Sequence, residues 1–556
     1  MNLINNKRCF CSFVIVVSLF IALSALQGCM TSLIRETGPE HQAMLNVDAN
    51  KIESVSLESF SQDKPITIEE GTRRQKEEAM ERESQSAIVE LSLADVRAAA
   101  LANNLDLKVE LVNPSLAREK WMEERAKFEA AFSGGVQYSD SQSPASSQLE
   151  GSKSTMLQYE LGIRQPLPTG GKIEIGQPSG RYETNNQYSL LNPAFETDLQ
   201  FSLSQPLLRN AGLRANTHSI RVARLQEKMA DAQTKLQAIR ILAEADRAYW
   251  KVFGASQALQ VSQQQYQIAL RQLDEAKMRV KSKAAPQVEI TRAESGAAAR
   301  LESIILALTN LRLVERDLKR IMNRANLPMD ATAGIMPMTN PSPLGLKLSA
   351  AQLSQYAVQN RMEMLETELQ LAMDESTIQY AKNARLPNFI FDYQYNINGL
   401  GGNFGASYKQ MRNADFADWS VALTGEIPLG NKAAHARLRQ ALLAKVQRLA
   451  TKELRRQAIE QEVYNAIDLL EQNWQRILAS RQEALFAART YEAERKQFEL
   501  GVRTSTDVLF AAERLALAQE REIQSLIDYQ IAQVDIAYAT GTLLGEAGVQ
   551  WQPAEL

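Results

Sequence analysis

The sequence predicts a mixed α and β membrane protein with two internal structural repeats, in which long coiled-coil helices alternate with amphipathic strands. Three observations carry this. The first 29 residues have the layout of a secretion signal ending in Cys29, and no later stretch is apolar for long enough to span a bilayer as a helix. Two regions alternate apolar and polar residues with period two. Two longer regions are rich in Ala, Leu, Gln, Glu and Arg and repeat their apolar residues every three or four positions.

Composition excludes several classes. The 556 residues carry a net charge of -3, which gives no electrostatic case for nucleic acid. His41, His218 and His435 are isolated, with no neighbour at metal-ligand spacing. No nucleophile–base motif or Gly-rich phosphate loop stands out, and Gly170-Gly171 reads as a turn. The expectation is a protein without cofactor or metal that is not an enzyme.

Residues 1–28 read as a leader: Lys7 and Arg8, an apolar run from Phe10 to Leu26, then small residues. Leu26-Gln27-Gly28-Cys29 resembles a bacterial lipobox, with Gln27 a less usual residue at its position. Cleavage there leaves Cys29 as the acylated first residue; a plain signal peptide with an incidental cysteine is the alternative. The other cysteines, Cys9 and Cys11, lie in the leader, so no disulfide framework is possible. Residues 29–88 are polar and charge-dense near Glu69–Glu78, and read as an extended lipid-anchored tether.

The body divides into repeats at 89–330 and 348–546, joined by a linker at 331–347 and followed by a tail at 547–556. Leu91-Ser92-Leu93-Ala94-Asp95 opens the first and Leu348-Ser349-Ala350-Ala351-Gln352 the second, with Asn103 matching Asn360 at the same offset. Ser92 and Ser349 stand at N-cap positions of helices running to about residues 128 and 386. Strands follow. Leu157, Tyr159, Leu161 and Ile163 alternate with polar residues, as do Leu199, Phe201 and Leu203. In the second repeat Phe389, Phe391, Tyr393 and Tyr395 alternate, as do Trp419, Val421 and Leu423. A barrel strand between lipid and water needs this pattern, though a soluble sheet with one wet face shows it too. The secretion signal and the lack of a spanning helix favour the barrel.

Pro206 and Pro428 end the strand regions where a helix can start. Long helices are expected at about 210–283 and 431–500, with return helices at about 287–325 and 505–545. Some 70 residues of helix span on the order of 100 Å. Leu225, Met229, Ala232, Leu236, Ile239 and Ala243 step by coiled-coil intervals, as do Ile523, Ile527, Gln530, Val534, Ala537, Gly541 and Leu544. Between long and return helices, Gly501 provides a helix C′ position, Asp507 sits in a first helical turn, and Pro286 breaks the first hairpin.

The doubled order of helix, strands, long helix, hairpin and return helix resembles the outer membrane efflux family of TolC-like outer membrane factors, in a lipoprotein form. The likeness covers about residues 90–545. It rests also on Ser204-Gln205-Pro206-Leu207-Leu208-Arg209, Pro428-Leu429, Gly501 through Leu509, and the closing Tyr529 to Leu544. It implies a homotrimer whose strands pool into one transmembrane β-barrel and whose helices pool into a trimeric periplasmic α-barrel. Physics agrees with pooling, because four to six strands cannot close a water-filled lumen.

The resemblance further implies a passive exit duct for tripartite efflux or type I secretion. It would sit in the outer membrane of a Gram-negative bacterium, with a large periplasmic portion. A periplasmic adaptor and an inner-membrane pump are the implied partners. Docking is expected at the hairpin tips, at Ser282, Pro286, Gly501, Thr504 and Ser505. Arg503, Asp507 and Glu289 are the candidates for closing the periplasmic end, by way of an Arg503–Glu289 contact; solvated helix-end charge is the plainer reading of Arg503 and Asp507. Three departures stand against the family pattern: Phe498 replaces a tying Tyr, while Val288 and Phe510 replace acidic residues. A fourth is the first strand region, 132–205, with up to four strand candidates where two are usual. Its extra hairpin, turning at Pro166–Gly171, either extends outside the cell or widens the barrel, and the extracellular extension is the expectation. A structural periplasmic coiled-coil lipoprotein and a lipoprotein hydrolase are the competing functional readings, and the sequence names no cargo.

Overall fold

The structure, a computed structural model, describes residues 88–144, 151–500 and 502–551. The leader, Cys29, the tether up to residue 87 and Gly501 lie outside the described residues.

The chain opens with β1 (Ile88–Leu91), α1 (Leu93–Asn103), α2 (Leu105–Glu110) and α3 (Asn113–Ala126). Five strands follow: β2 (Ala131–Gln142), β3 (Lys153–Pro166), β4 (Lys172–Thr184), β5 (Ala194–Thr197) and β6 (Leu199–Pro206). Next come α4 (Leu213–Asn216), α5 (His218–Lys281), α6 (Val288–Met322) and β7 (Gly334–Pro337). Then α7 (Ala350–Asn360) and α8 (Met362–Ala384) lead to β8 (Asn388–Asn398), β9 (Leu400–Gly401), α9 (Phe404–Asn413) and β10 (Phe416–Glu426). The chain finishes with α10 (Lys432–Glu499), α11 (Ser505–Thr540) and α12 (Leu543–Glu546).

The opening helices are shorter than the sequence predicts, for an identifiable reason. Asn104 takes an extended ψ of 130° and its buried side chain accepts from Leu107 N at 3.1 Å, capping a new helix; its amide donates to Ile321 O at 3.0 Å. Arg361 makes the corresponding break between α7 and α8, with ψ 137°. Ser92 forms a full capping box, its hydroxyl and backbone N–H both donating to the Asp95 carboxylate at 2.6 and 3.1 Å. Ser349 holds the N-cap position of α7 with no side-chain cap bond, and Gln352 stands where α1 has Asp95.

At 64 and 68 residues, α5 and α10 each run for about 100 Å. A core lies midway along α5, where Ile241, Leu242, Tyr249 and Val252 pack with Val96 and Ala100 of α1, Leu318 and Met322 of α6, and Val534 and Ala537 of α11. Small side chains at these seams let helix axes approach. Tyr249 is fully buried; its phenol donates to Leu91 O at 3.3 Å and accepts from Thr339 N at 2.8 Å. It thereby ties β1 and the segment after β7 to the helices, where β1 and β7 pair in parallel. Asp246, also fully buried, receives Arg97 through two bonds of 2.8 and 2.7 Å.

Six strands form one antiparallel meander in the spatial order β2, β3, β4, β6, β8, β10, with β5 and β9 attached beside it. The registers carry one residue parity across the whole sheet. Phe132, Ile163, Ile175, Phe201, Tyr395 and Trp419 follow one another from strand to strand. The adjoining row, on the other face, reads Ser133, Gly162, Gly176, Gln200, Asn396 and Asp418. One face is thus apolar and aromatic, the other small and polar.

The hairpin turning at Pro166–Gly171 lies inside this sheet, between β2 and β6. That corrects the expectation of an extension standing apart from the other strands: alternation along β3 reveals a face but not its neighbours. The turn itself is tight. Leu167 N donates to Gly171 O at 2.8 Å, and Gly170 has φ +93°, where an added Cβ would stand 2.1 Å from Asn210 O. Gly212 N donates to Thr169 O at 2.9 Å, holding the turn against the strand-to-helix junction. Connections at the opposite end of the sheet are longer and include α9.

Candidate functional site

Two features can act: the amphipathic sheet and the paired helical hairpins. Among the described residues no group of His, Cys, Asp and Glu could hold a metal ion, and no helix is long and apolar enough to cross a membrane.

The first hairpin tip is shaped by backbone chemistry. Ser282 caps α5, its hydroxyl donating to Arg279 O at 3.0 Å. Lys283 takes a left-handed conformation, and Ala284 N reaches back to Arg279 O at 2.9 Å. Pro286 O accepts from Glu289 N at 3.1 Å as α6 begins. At the second tip Thr504 is the N-cap of α11 and forms a capping box with Asp507, whose carboxylate accepts the Thr504 N–H at 3.0 Å and hydroxyl at 2.8 Å. These bonds, with the Arg503 charge, hold the Asp507 carboxyl below the usual aspartate range.

The expected Arg503–Glu289 contact does not form. Arg503 turns back on its own hairpin, donating to Gln497 Oε1 at 3.1 Å and lying 3.2 Å from the Glu494 carboxylate. Glu289 instead pairs with Arg292, one turn along α6, at 2.9 Å and accepts the Ser505 hydroxyl from the second tip. So Glu289 and Ser505 come together, while Arg503 and Asp507 serve their own helix ends.

A second contact between the hairpins involves a residue that sequence reasoning passed over. The Arg279 guanidinium lies 3.8 Å from the ring centroid of Phe498 and donates to Phe498 O at 3.2 Å. Phe498 is 9% exposed, whereas Val288 and Phe510 are 49% and 61% exposed. Phe498 is therefore a packed partner and the other two face outward. Above the tips, Gly296 admits close approach, since a Cβ there would meet Leu509 at 3.4 Å.

Farther up, Arg361 is buried against Glu363 and Glu462 and lies 5.6 Å from the Tyr538 ring. Its pKa is raised: burial alone would lower it, and the two carboxylates outweigh burial. Arg247 is 5.7 Å from the same ring and bonds Asp535 at 2.7 Å. These contacts fasten α5, α8, α10 and α11 together.

The description "outer membrane efflux protein" matches residues 353–542, from within α7 to just beyond α11. The outer membrane protein TolC of Vibrio cholerae is 21% identical over 333 residues, covering 59% of this chain and 74% of that protein. Over that segment the chain is similar to the TolC-like outer membrane efflux family. Solved structures share its fold. A membrane protein from Pseudomonas aeruginosa superposes with a TM-score of 0.62 at 18% identity, over 81% of this chain and 93% of that one. The CmeC outer membrane channel of Campylobacter jejuni gives 0.61 at 14% identity, over 81% and 85%. The matched segment holds β8 to β10 and the second hairpin; β2 to β6 precede it.

Proposed function

We propose that the protein is the outer-membrane exit duct of a tripartite efflux or type I secretion system. Three copies pool their strands into one transmembrane β-barrel and their helices into a periplasmic α-barrel. The two repeats, 89–330 and 348–546, supply equivalent parts. The duct is passive: a pump in the inner membrane drives transport, and a periplasmic adaptor docks at the hairpin tips around Ser282, Pro286, Gly501, Thr504 and Ser505. Cys29 carries the lipid anchor, and residues 29–88 join it to the body. Glu289 with Ser505, and Arg279 with Phe498, hold the periplasmic end closed.

The observation that carries this reading is the sheet. One face presents Phe132, Ile163, Ile175, Phe201, Tyr395 and Trp419, and the other presents small and polar residues. A wall between lipid and water needs this division. Six strands from one chain cannot enclose a lumen, and β2 and β10 at its borders need partners from other copies. The test is conductance of purified trimer across planar bilayers. Ion flow with discrete steps is expected; a monomer that conducts nothing under the same conditions overturns the proposal.

A further inference from the structure

The proposed wall is read from one face of the sheet, and the number of membrane-crossing strands per chain depends on how the hairpin β3–β4 is built into it. Resting on that reading, we infer that the hairpin β3–β4 is part of the membrane wall, so each chain contributes six strands and three copies close a barrel of eighteen.

Pairing is the first argument. β2 bonds to β3, β3 to β4 along the hairpin's full length, and β4 to β6. Among the described residues β2 has no contact with β6 through backbone bonds. If the hairpin stood outside the wall, one edge of β2 and one of β6 would face hydrocarbon unpaired, which the bilayer does not tolerate.

The faces agree. Leu161, Ile163, Ile173 and Ile175 share the apolar face of the sheet, and Leu161, Ile163 and Ile175 are exposed in the single chain. The reverse side of the hairpin carries Arg164 and Lys172, 2.8 and 3.2 Å from Glu174. A hairpin surrounded by water has no use for an aliphatic side; a wall strand needs it, with charge confined to the lumen.

Length and boundary also fit. β3 has 14 residues and β4 has 13, where about 9–11 tilted residues cross the hydrocarbon. Farther from the helices, the outward parity of β4 changes to Gln177, Ser179, Arg181 and Glu183. At that level Phe404 of α9 lies 6.2 Å from Tyr159, and Ser407 of α9 shares a 2.9 Å bond with Thr197. On β2 and β3 the same face stays apolar as far as Tyr138 and Leu157 and turns polar at Asp140 and Thr155, so the band ends there on those strands and earlier on β4.

The borders complete the ring. Six alternating strands make β2 and β10 run in opposite directions, so β10 of one copy meets β2 of the next antiparallel. At fixed strand spacing and tilt, eighteen strands give roughly one and a half times the diameter of twelve, and about twice the cross-section.

Single cysteines at Ile163 and Ile175, at Glu160 on the lumen face, and at the control positions Tyr395 and Val421 test this in trimers reconstituted into phosphatidylcholine vesicles. Each carries a small fluorophore, with the unsubstituted chain as blank. Brominated lipid should quench the probes at 163 and 175 as strongly as those at 395 and 421, while iodide in the lumen reaches only the one at 160. Quenching at the controls without quenching at 163 and 175 overturns the inference and leaves the channel intact. Failure at all four overturns the inference together with the proposed function. Averaged end-on images of the same trimers give an independent readout: deletion of residues 153–184 should shrink the ring to about two thirds of its circumference. An unchanged ring in a folded deletion trimer refutes the eighteen-strand wall.

Discussion

Removal of the Phe498 ring should loosen the closed periplasmic end, and the structure sets the size of the effect. The Arg279 guanidinium sits 3.8 Å from the ring centroid on a nearly buried side chain. A desolvated cation–π contact contributes about 1–2 kcal/mol. Phe498→Ala also gives up part of the ring's apolar burial, itself about 2 kcal/mol. The bond from Arg279 to Phe498 O survives, because the acceptor is backbone. If opening separates the hairpins, the closed state loses about 2 kcal/mol per chain, roughly a thirtyfold shift toward open. Arg279→Met keeps the aliphatic stem and removes the cation. A double-mutant cycle between the two, read as open fraction in single-channel recordings, should give a coupling of about 1 kcal/mol, roughly fivefold. Phe510→Ala, at an outward position of the same hairpin, serves as the control and should leave the open fraction alone. A coupling below about 0.3 kcal/mol refutes the latch.

Three further outcomes follow from particular contacts. Asp246→Leu strands Arg97 in a largely buried site and should cost about 3 kcal/mol of stability, seen as a lowered denaturation midpoint; a loss below about 1 kcal/mol contradicts the assignment. Gly170→Ala forces a Cβ into Asn210 O at positive φ and should cost about 2 kcal/mol or more in the same assay, whereas Gly135→Ala, with open space around it, should cost less than half as much. His218 stacks on Tyr380 at 4.8 Å and bonds Ser376 at 2.9 Å; burial, then the Arg221 charge, pushes its pKa below the usual histidine value. The unfolded chain then takes up the proton first as the pH falls through about 6.5, so this contribution is complete above that value and declines below it. The melting temperature should fall between about pH 7.5 and about pH 5.5, and His218→Gln should flatten that dependence.

Much of this fold is legible in sequence because its signals are local and long. The coiled-coil spacing of Ile523, Ile527 and Val534 marks a seam that the structure buries or half-buries. Asp507 announces a helix start, and Thr504 supplies the matching cap. Other features depend on residues far apart in the chain. Alternation in β3 predicts a strand with an apolar side, yet only its register with β2 and β4 places it in the middle of the sheet. The break at Asn104 is visible afterwards as an Asn that can cap, but its amide is anchored to Ile321, distant in sequence. Arg279 carried no local mark at all. An arginine in the last turn of a long helix reads as a dipole partner, and its stacking on Phe498 requires the fold.

The tips show how a changed residue set can still bridge two hairpins. On the second hairpin, both charged residues are engaged close to home: Asp507 by the Thr504 cap, Arg503 by Gln497 and Glu494. Neither carboxylate nor guanidinium is free to cross. The crossing is made by groups of the opposite kind, a hydroxyl and an aromatic ring on the second hairpin, with their charged partners, Glu289 and Arg279, on the first. A phenylalanine offers no phenol to donate, so the donor has moved to the other side: Arg279 gives a hydrogen bond to the backbone beneath the ring it covers. Val288 and Phe510 are exposed in the single chain and belong to neither of these two contacts. The departure from the family pattern at 498 is thus met by Arg279 on the first hairpin, and the cation and the aromatic hold the hairpins from opposite sides.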